Sequence, residues 1–307
     1  MIKPLKGIRI VSLALNLPGP AALMRCRHLG ATCLKVEPLS DSGRGDPMHR
    51  YSPQAYTQMH QGIRTVAMDL KTPQGQAKLD SLLEKADIVL TSFRPSALKR
   101  LGMDAPTLSK RHPQLWQVMI VGGEGGAAEV AGHDLTYLAQ HDLVMGMDLP
   151  ASLYADMTGS LLTVEGILSA ALQKKMAAKP RPIQISLESA AQYVALPRHW
   201  GLTMPSGTVG GAHAGYQVYA CQDGRAAVAA LEPHFAAQLC LLAGIEFTDP
   251  AVMLQPTTRA ALALWFAKHH CAQLDMVAQS HDLPIHTLKS HTTYSGPPVL
   301  RAKPRRA

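Results

Sequence analysis

The sequence predicts an α/β fold, an open parallel sheet covered by helices, followed by a smaller α+β domain. Three observations predict it. Strand-like apolar runs alternate with helical patterns through the first half, a Gly/Ser/Pro-rich stretch interrupts the chain near residue 200, and a hairpin signal follows that stretch. A chain of 307 residues has room for about two domains of roughly 150 residues each. With 47% hydrophobic and 17% charged residues it carries enough apolar surface to exclude wholesale disorder.

Residues 7–15, GIRIVSLAL, form a buried-strand run that NLPGP breaks. Pro20 suits the first turn of a helix, where its missing N–H costs nothing. AALMRCRHLG then reads as that helix, closed by Gly30, and TCLKVEP as a second strand. Strand, helix and strand in so short a span imply parallel strands joined by a right-handed crossover. The pattern recurs: RTVAMDL is strand-like, residues 72–86 are helical with a threonine cap, and DIVLTSF is a strand. LKRLGM and a helix-like TLSKRHP lead to the strand LWQVMIVG. The glycine-rich 122–129 loop that follows reads as a connector, and the first turn lacks a dinucleotide GxGxxG.

From Gly159 the apolar positions Leu161, Val164, Leu168 and Ala171 or Leu172 mark one face of a helix expected to begin near Thr158 or Gly159. PIQISLESAAQYVAL adds a strand leading into a helix. TMPSGTVGGAHAG has the composition of an interdomain loop. Beyond it, 216–231 reads as a β-hairpin around Asp223-Gly224, and two helical patterns follow. The expected division is a large domain over 1–200 and a small α+β domain over 201–280.

The net charge of +8 suits an anionic partner such as a phosphate-bearing small molecule. Part of the excess sits in the 301–307 tail, read as a solvated end, and aromatic residues make up only 5% of the chain. A nucleic-acid surface built on stacked rings is therefore poorly supplied, and no nucleic-acid partner is expected. The five cysteines contain no CxxC pair, which suggests neither a disulfide framework nor a zinc knuckle. His269-His270-Cys271 resembles a ligand run, but neighbouring residues on a helix point in different directions, so no metal is expected. The apolar run near the start ends at Asn16, so it reads as a strand rather than a secretion signal. No segment reaches the roughly 18 apolar residues of a membrane span. A cytoplasmic protein with no membrane partner is expected.

Three residues draw attention as chemistry, and each has a plain structural alternative. Asp156, at the start of a helix, either caps it or stabilises charge beside free N–H groups and the helix dipole. His133, in AGHDLTYLA, is either a hydrogen-bonded core histidine or a proton-transfer group. Glu232, in LEPHF, either opens a helix or serves a site.

Together the residues say more. The ordered set PLKGIRIV, LPGPAALMRCRHLGATCLKVEP, VAMDLKTPQG, FRPSALKRLG, AGHDLTYLA, ADMTGSLL and DGRAAVAALEPHF resembles the family III CoA-transferases and their α-methylacyl-CoA racemase branch. The resemblance runs from about residue 4 to 245 and implies a Rossmann-like CoA-binding large domain, to which 281–307 returns, in an intertwined homodimer. It implies an acyl-CoA substrate, with no cofactor beyond the coenzyme A that the substrate carries. In the racemase branch His133 and Asp156 act as acid and base on opposite faces of the α-carbon, with Glu232 supporting His133. In transferases Asp156 instead attacks the thioester and forms a mixed anhydride. By resemblance, CoA contacts fall on Met68, Asp69, Leu70, Lys71, Phe93, Arg94, Arg100, Gly132, Asp134 and Tyr137. Leu17 stands where transferases of the formyl-CoA type favour glutamine, which tilts the expectation toward proton transfer. Changed loops, with Pro38 after Glu37 and AAKPRP before the next strand, keep a catalytically lapsed CoA-binding or assembly partner as a third reading.

Overall fold

The computed structural model describes residues 2–40 and 45–289, which fall into two units. The first, Met1–Leu196, is built on a six-stranded sheet of order β3-β2-β1-β4-β5-β6. Its strands are β1 (Arg9–Ser12), β2 (Thr32–Glu37), β3 (Arg64–Ala67), β4 (Ile88–Thr91), β5 (Trp116–Val121) and β6 (Ile183–Ser186), all paired in parallel. Between them lie α1 (Pro18–His28), α2 (Met48–Tyr51), α3 (Pro53–Met59), α4 (Pro73–Leu83), α5 (Pro95–Arg100) and α6 (Ala105–Arg111). α7 (Asp134–Gln140) and α8 (Tyr154–Lys175) precede β6, and α9 (Leu187–Val194) follows it.

Both faces of the sheet are covered, which explains the near-continuous apolar strands. Ile10, Ile88 and Leu90 point to a core shared with Leu23 and Cys26 of α1 and Val164, Ile167 and Ala170 of α8. Val11 and Val89, one residue out of phase, join Leu79 and Leu83 of α4 and Leu98 and Leu108 of α5 and α6 on the other face. Truncating a fully buried member such as Ile10 to alanine costs about 2–5 kcal/mol. The helices start where their sequences say: Pro18 and Pro20 in the first turn of α1, and Thr72 Oγ1 accepting from the Gly75 N–H at α4.

α8 departs from expectation. It starts at Tyr154 rather than near Thr158, so Asp156 lies inside its first turn and makes no side-chain cap. The cap arrives from α7, where Asp134 Oδ1 accepts the Asp156 N–H at 2.9 Å. A distant carboxylate thus replaces the local one that the sequence suggested.

The second unit begins at Pro197, and α10 (Leu196–His199) spans the division. β7 (Tyr216–Cys221) and β8 (Gly224–Ala229) form the antiparallel hairpin, with Cys221 paired to Gly224 and the turn at Gln222-Asp223, one residue earlier than anticipated. α11 (Pro233–Leu242), α12 (Pro256–Ala267) and α13 (Cys271–Ser280) follow, then β9 (Ile285–Lys289). Leu239, Leu262, Phe266 and Leu274 from these helices pack with Tyr219, Ala226 and Val228. β9 pairs antiparallel with β8, which corrects the first part of the expected return of 281–307 to the large domain. The reason is the open edge of β8, whose backbone groups take β9 as their partner. Residues 290–307 of that expectation, with the basic tail, lie outside the described residues.

Candidate active site

The strand order reverses direction between β1 and β4, and crevices outside the carboxyl ends of parallel strands at such a point are the usual ligand sites of doubly wound sheets. A cavity of about 200 Å³ lies there. Its wall is supplied by Leu15 and Asn16 after β1, by Ser92, Phe93 and Arg94 after β4, and by Val121 and Gly122 after β5. Gly132, His133 and Tyr137 come from the segment around α7, and Asp156 from α8.

Local structure places each group. His133 precedes α7, and its backbone N–H is accepted by Thr136 Oγ1 at 3.0 Å, which holds the turn that carries the imidazole. Tyr137 is buried one turn later. A Cβ on Gly132 would come within 2.5 Å of the Tyr137 ring, and one on Gly122 within 2.6 Å of its hydroxyl, so both glycines make room for it. Burial first, and then Asp156 and Glu188, raise the Tyr137 pKa above its usual value, so the ring keeps its O–H as a donor.

Asp156 is the perturbed acid of the site. Burial, and secondarily the charge of Asp134, push its carboxyl up to about 6. The expectation that free N–H groups would stabilise this carboxylate meets a different arrangement: Asp134 takes the Asp156 amide, and desolvation raises the Asp156 pKa. Asp134 itself is 4% exposed, and its pKa is raised by burial against the opposing pull of the α8 amides. Asp134, expected as a CoA contact, is turned to α8, where it accepts the Asp156 N–H.

A second cavity of about 340 Å³ adjoins the ends of β1, β2 and β3. Met68, Asp69, Leu70 and Lys71 line it together with Phe93, which also lines the first cavity. Phe93 thereby connects the two. Asp69 Oδ1 accepts the Lys71 N–H at 2.9 Å and closes the turn that presents Lys71 at the rim. Of the anticipated CoA contacts, the structure brings Met68 to Lys71, Phe93, Arg94, Gly132 and Tyr137 around these two cavities. Arg100, exposed at the end of α5, lines neither. Glu232 belongs to the second unit, exposed just before α11, and has no side-chain cap bond.

Sequence reasoning missed Asn16 and the buried group that holds it. Asn16 adopts φ 67°, and its N–H is accepted by Asp46 Oδ1 at 3.0 Å. Asp46 also pairs with Lys35, whose side chain is fully buried, and Lys35 lies 3.9 Å from Glu37. Glu37 in turn accepts from the Tyr56 hydroxyl at 2.7 Å and from the Gly45 N–H at 3.1 Å. The available signal was an asparagine at a strand end, a residue type that tolerates the left-handed region.

The sequence matches CoA-transferase family III over residues 5–303, and the chain belongs to that family. Among curated relatives, the alpha-methylacyl-CoA racemase of Mus musculus is 29% identical over 262 residues, covering 79% of this chain and 65% of that protein. The human alpha-methylacyl-CoA racemase is 27% identical over 249 residues, or 75% and 62%. A succinate–glutarate CoA-transferase of Agrobacterium fabrum is 34% identical over 152 residues, or 45% and 37%. The chain spans less than two thirds of the length of either racemase. The crystal structure of a CaiB/BaiF family protein from Brucella suis shares the fold, with a TM-score of 0.77 at 23% identity over 94% of this chain and 85% of that one. The family thus joins racemases and CoA-transferases. Among the described residues, no helix is long and apolar enough to cross a membrane.

Proposed function

We propose that this protein racemises or epimerises the α-carbon of a 2-methylacyl-CoA thioester by two-base proton transfer through an enolate. The observation that carries the reading is the shared cavity of His133 and Asp156, with the Asp156 carboxyl raised to about 6. A carboxyl raised toward neutrality is a stronger base when ionised and a more available acid when protonated, which suits proton transfer to and from the α-carbon. One group removes the α-proton, the thioester becomes an enolate, and the other returns a proton to the far face. The enolate oxygen needs donors, and the Tyr137 hydroxyl and the Asn16 amide stand in the cavity wall. Arg94 and Lys71 supply positive charge for CoA phosphates, and coenzyme A enters only as part of the substrate. In this reading Glu232 supports His133 and the chains act as a homodimer, which light scattering of the eluted protein reads directly.

The transferase relative favours a second reading, in which ionised Asp156 attacks the thioester carbonyl and releases CoA thiolate to form a mixed anhydride. Incubation with 2-methylacyl-CoA thioesters in D₂O, followed by mass spectrometry, separates the two. Proton transfer is supported by enzyme-dependent α-deuterium incorporation that disappears in His133→Ala. Exchange absent while the thioester still binds, together with CoA transfer to an added carboxylic acid that survives His133→Ala, replaces it with the transferase. Neither activity with intact binding leaves the lapsed CoA-binding partner.

A further inference from the structure

Cys221 and Cys271 belong to the second unit, and neither has a role in the chemistry proposed above. Cys221 ends β7, Asp223 sits in the β7–β8 turn, and His270 and Cys271 open α13. The two Sγ atoms are 3.5 Å apart. One ligand atom from each of Cys221, Asp223 and Cys271 lies within 4.8 Å of the other two. His270 Nδ1 is 3.7 Å from Asp223 Oδ1, on an exposed side chain that stands outside this group of three and can turn toward it.

We propose that Cys221, Asp223 and Cys271 form a site for a thiolate-loving divalent cation such as Zn²⁺, with His270 as the fourth ligand. Two sulfurs bound to one tetrahedral zinc at about 2.3 Å stand about 3.8 Å apart. The observed separation is close to that value and well beyond a disulfide bond. Two cysteines, an imidazole and a carboxylate are a donor set that suits zinc and excludes the hard cations, which take oxygen.

The surroundings hold this group rigidly. The Gln222 N–H donates to the His269 carbonyl at 2.9 Å, and Gln222 Nε2 donates to the Lys268 carbonyl at 3.1 Å. Asp223 Oδ1 accepts the Cys271 N–H at 2.7 Å, which fixes the carboxylate and leaves its other oxygen for a cation. A Cβ on Gly224 would stand 3.0 Å from Cys271 Sγ, so the glycine keeps space open beside the sulfur. Cys271 is fully buried, while the Asp223 and His270 side chains are 41% and 56% exposed, which provides an entry path. Gathering two thiols and a carboxylate is unfavourable once any thiol ionises, and a divalent cation reverses that balance. Binding would displace the thiol protons to solvent and pin the hairpin tip to α13.

The test uses the full chain, reduced and stripped of metal, titrated with Co²⁺ alone. The expected result is a thiolate-to-cobalt charge-transfer band with the visible bands of a tetrahedral ion, saturating at one equivalent and bleached by Zn²⁺. Both bands should be lost in Cys221→Ser, whose half-buried side chain makes the substitution compatible with folding. A spectrum of hydrated Co²⁺ only, or one unchanged in Cys221→Ser, overturns the site. A second readout needs no variant: Zn²⁺ should slow alkylation of Cys221 in the native protein by about tenfold or more, because a bound thiolate is a poor nucleophile. Equal alkylation rates, or a Cys221–Cys271 disulfide in the protein as isolated under reducing conditions, overturn it as well.

Discussion

Glu37 and Asp46 meet beneath the end of β2 around the ammonium of Lys35, whereas Asp134 and Asp156 meet at the junction of α7 and α8. Among the described residues, neither member of the second pair has an ion-paired lysine or arginine. The chemistry of the two pairs differs accordingly. The first is a structural unit in which two carboxylates share one buried ammonium, and the backbone of Asn16 links it to the first cavity. The second keeps an unbalanced carboxyl at a cavity wall, where burial and a like charge hold Asp156 at about 6. Perturbed, uncompensated groups in clefts are where proton chemistry is found.

The strongest way to break this comparison is to remove the proposed catalytic acid. Asp156→Asn, like His133→Ala, should lower α-proton exchange by about 10²–10⁴-fold while acyl-CoA binding, read by calorimetry, changes little. Exchange that persists in both variants would falsify the two-base assignment. Next in size is Lys35→Met, which leaves Asp46 and Glu37 buried without a cation and should destabilise the fold by about 3–5 kcal/mol. Urea midpoints read the loss, and adding Asp46→Asn to Lys35→Met should recover part of it by removing one uncompensated charge. No recovery would mean that packing, not charge, is what Lys35 contributes.

The stability of the Asp156 variant gives the opposite sign. A carboxyl whose folded pKa is raised contributes stability that is fully present below its ordinary value and is lost as pH rises through about 6. Asp156→Asn should therefore be more stable than the native chain at pH 8, by on the order of 2 kcal/mol, with little difference below pH 4. Thermal melts at the two pH values read this, and a destabilised variant at pH 8 would show that the ionised carboxylate is better satisfied than its burial indicates. The smallest expected effect comes from Asp134→Asn. The amide oxygen still accepts the Asp156 N–H, but the like charge is gone, so the acidic limb of the exchange profile should move to lower pH. A limb that stays in place would assign the Asp156 shift to burial alone.

The first five strands and several of the helices between them were legible from residues 7–122, because period and punctuation are local properties of the chain. The start of α8 was misplaced for an equally physical reason. Tyr154 to Met157 has no capping side chain of its own, and the cap is Asp134, twenty-two residues away in sequence. Of the anticipated site residues, His133 and Asp156 share a cavity, yet Asp134 and Arg100 do not line it.

By itself, the sequence determined the α/β class, the family, and the residue types that meet at the strand ends, since these follow from apolar periodicity and from motifs in a set order. Only the tertiary structure decided that Asp134 takes the Asp156 amide, that burial and a like charge raise the Asp156 carboxyl to about 6, and that Cys221 and Cys271, fifty residues apart, sit 3.5 Å from each other. Desolvation and charge proximity depend on which segments come together in space, and a one-dimensional pattern carries no record of that.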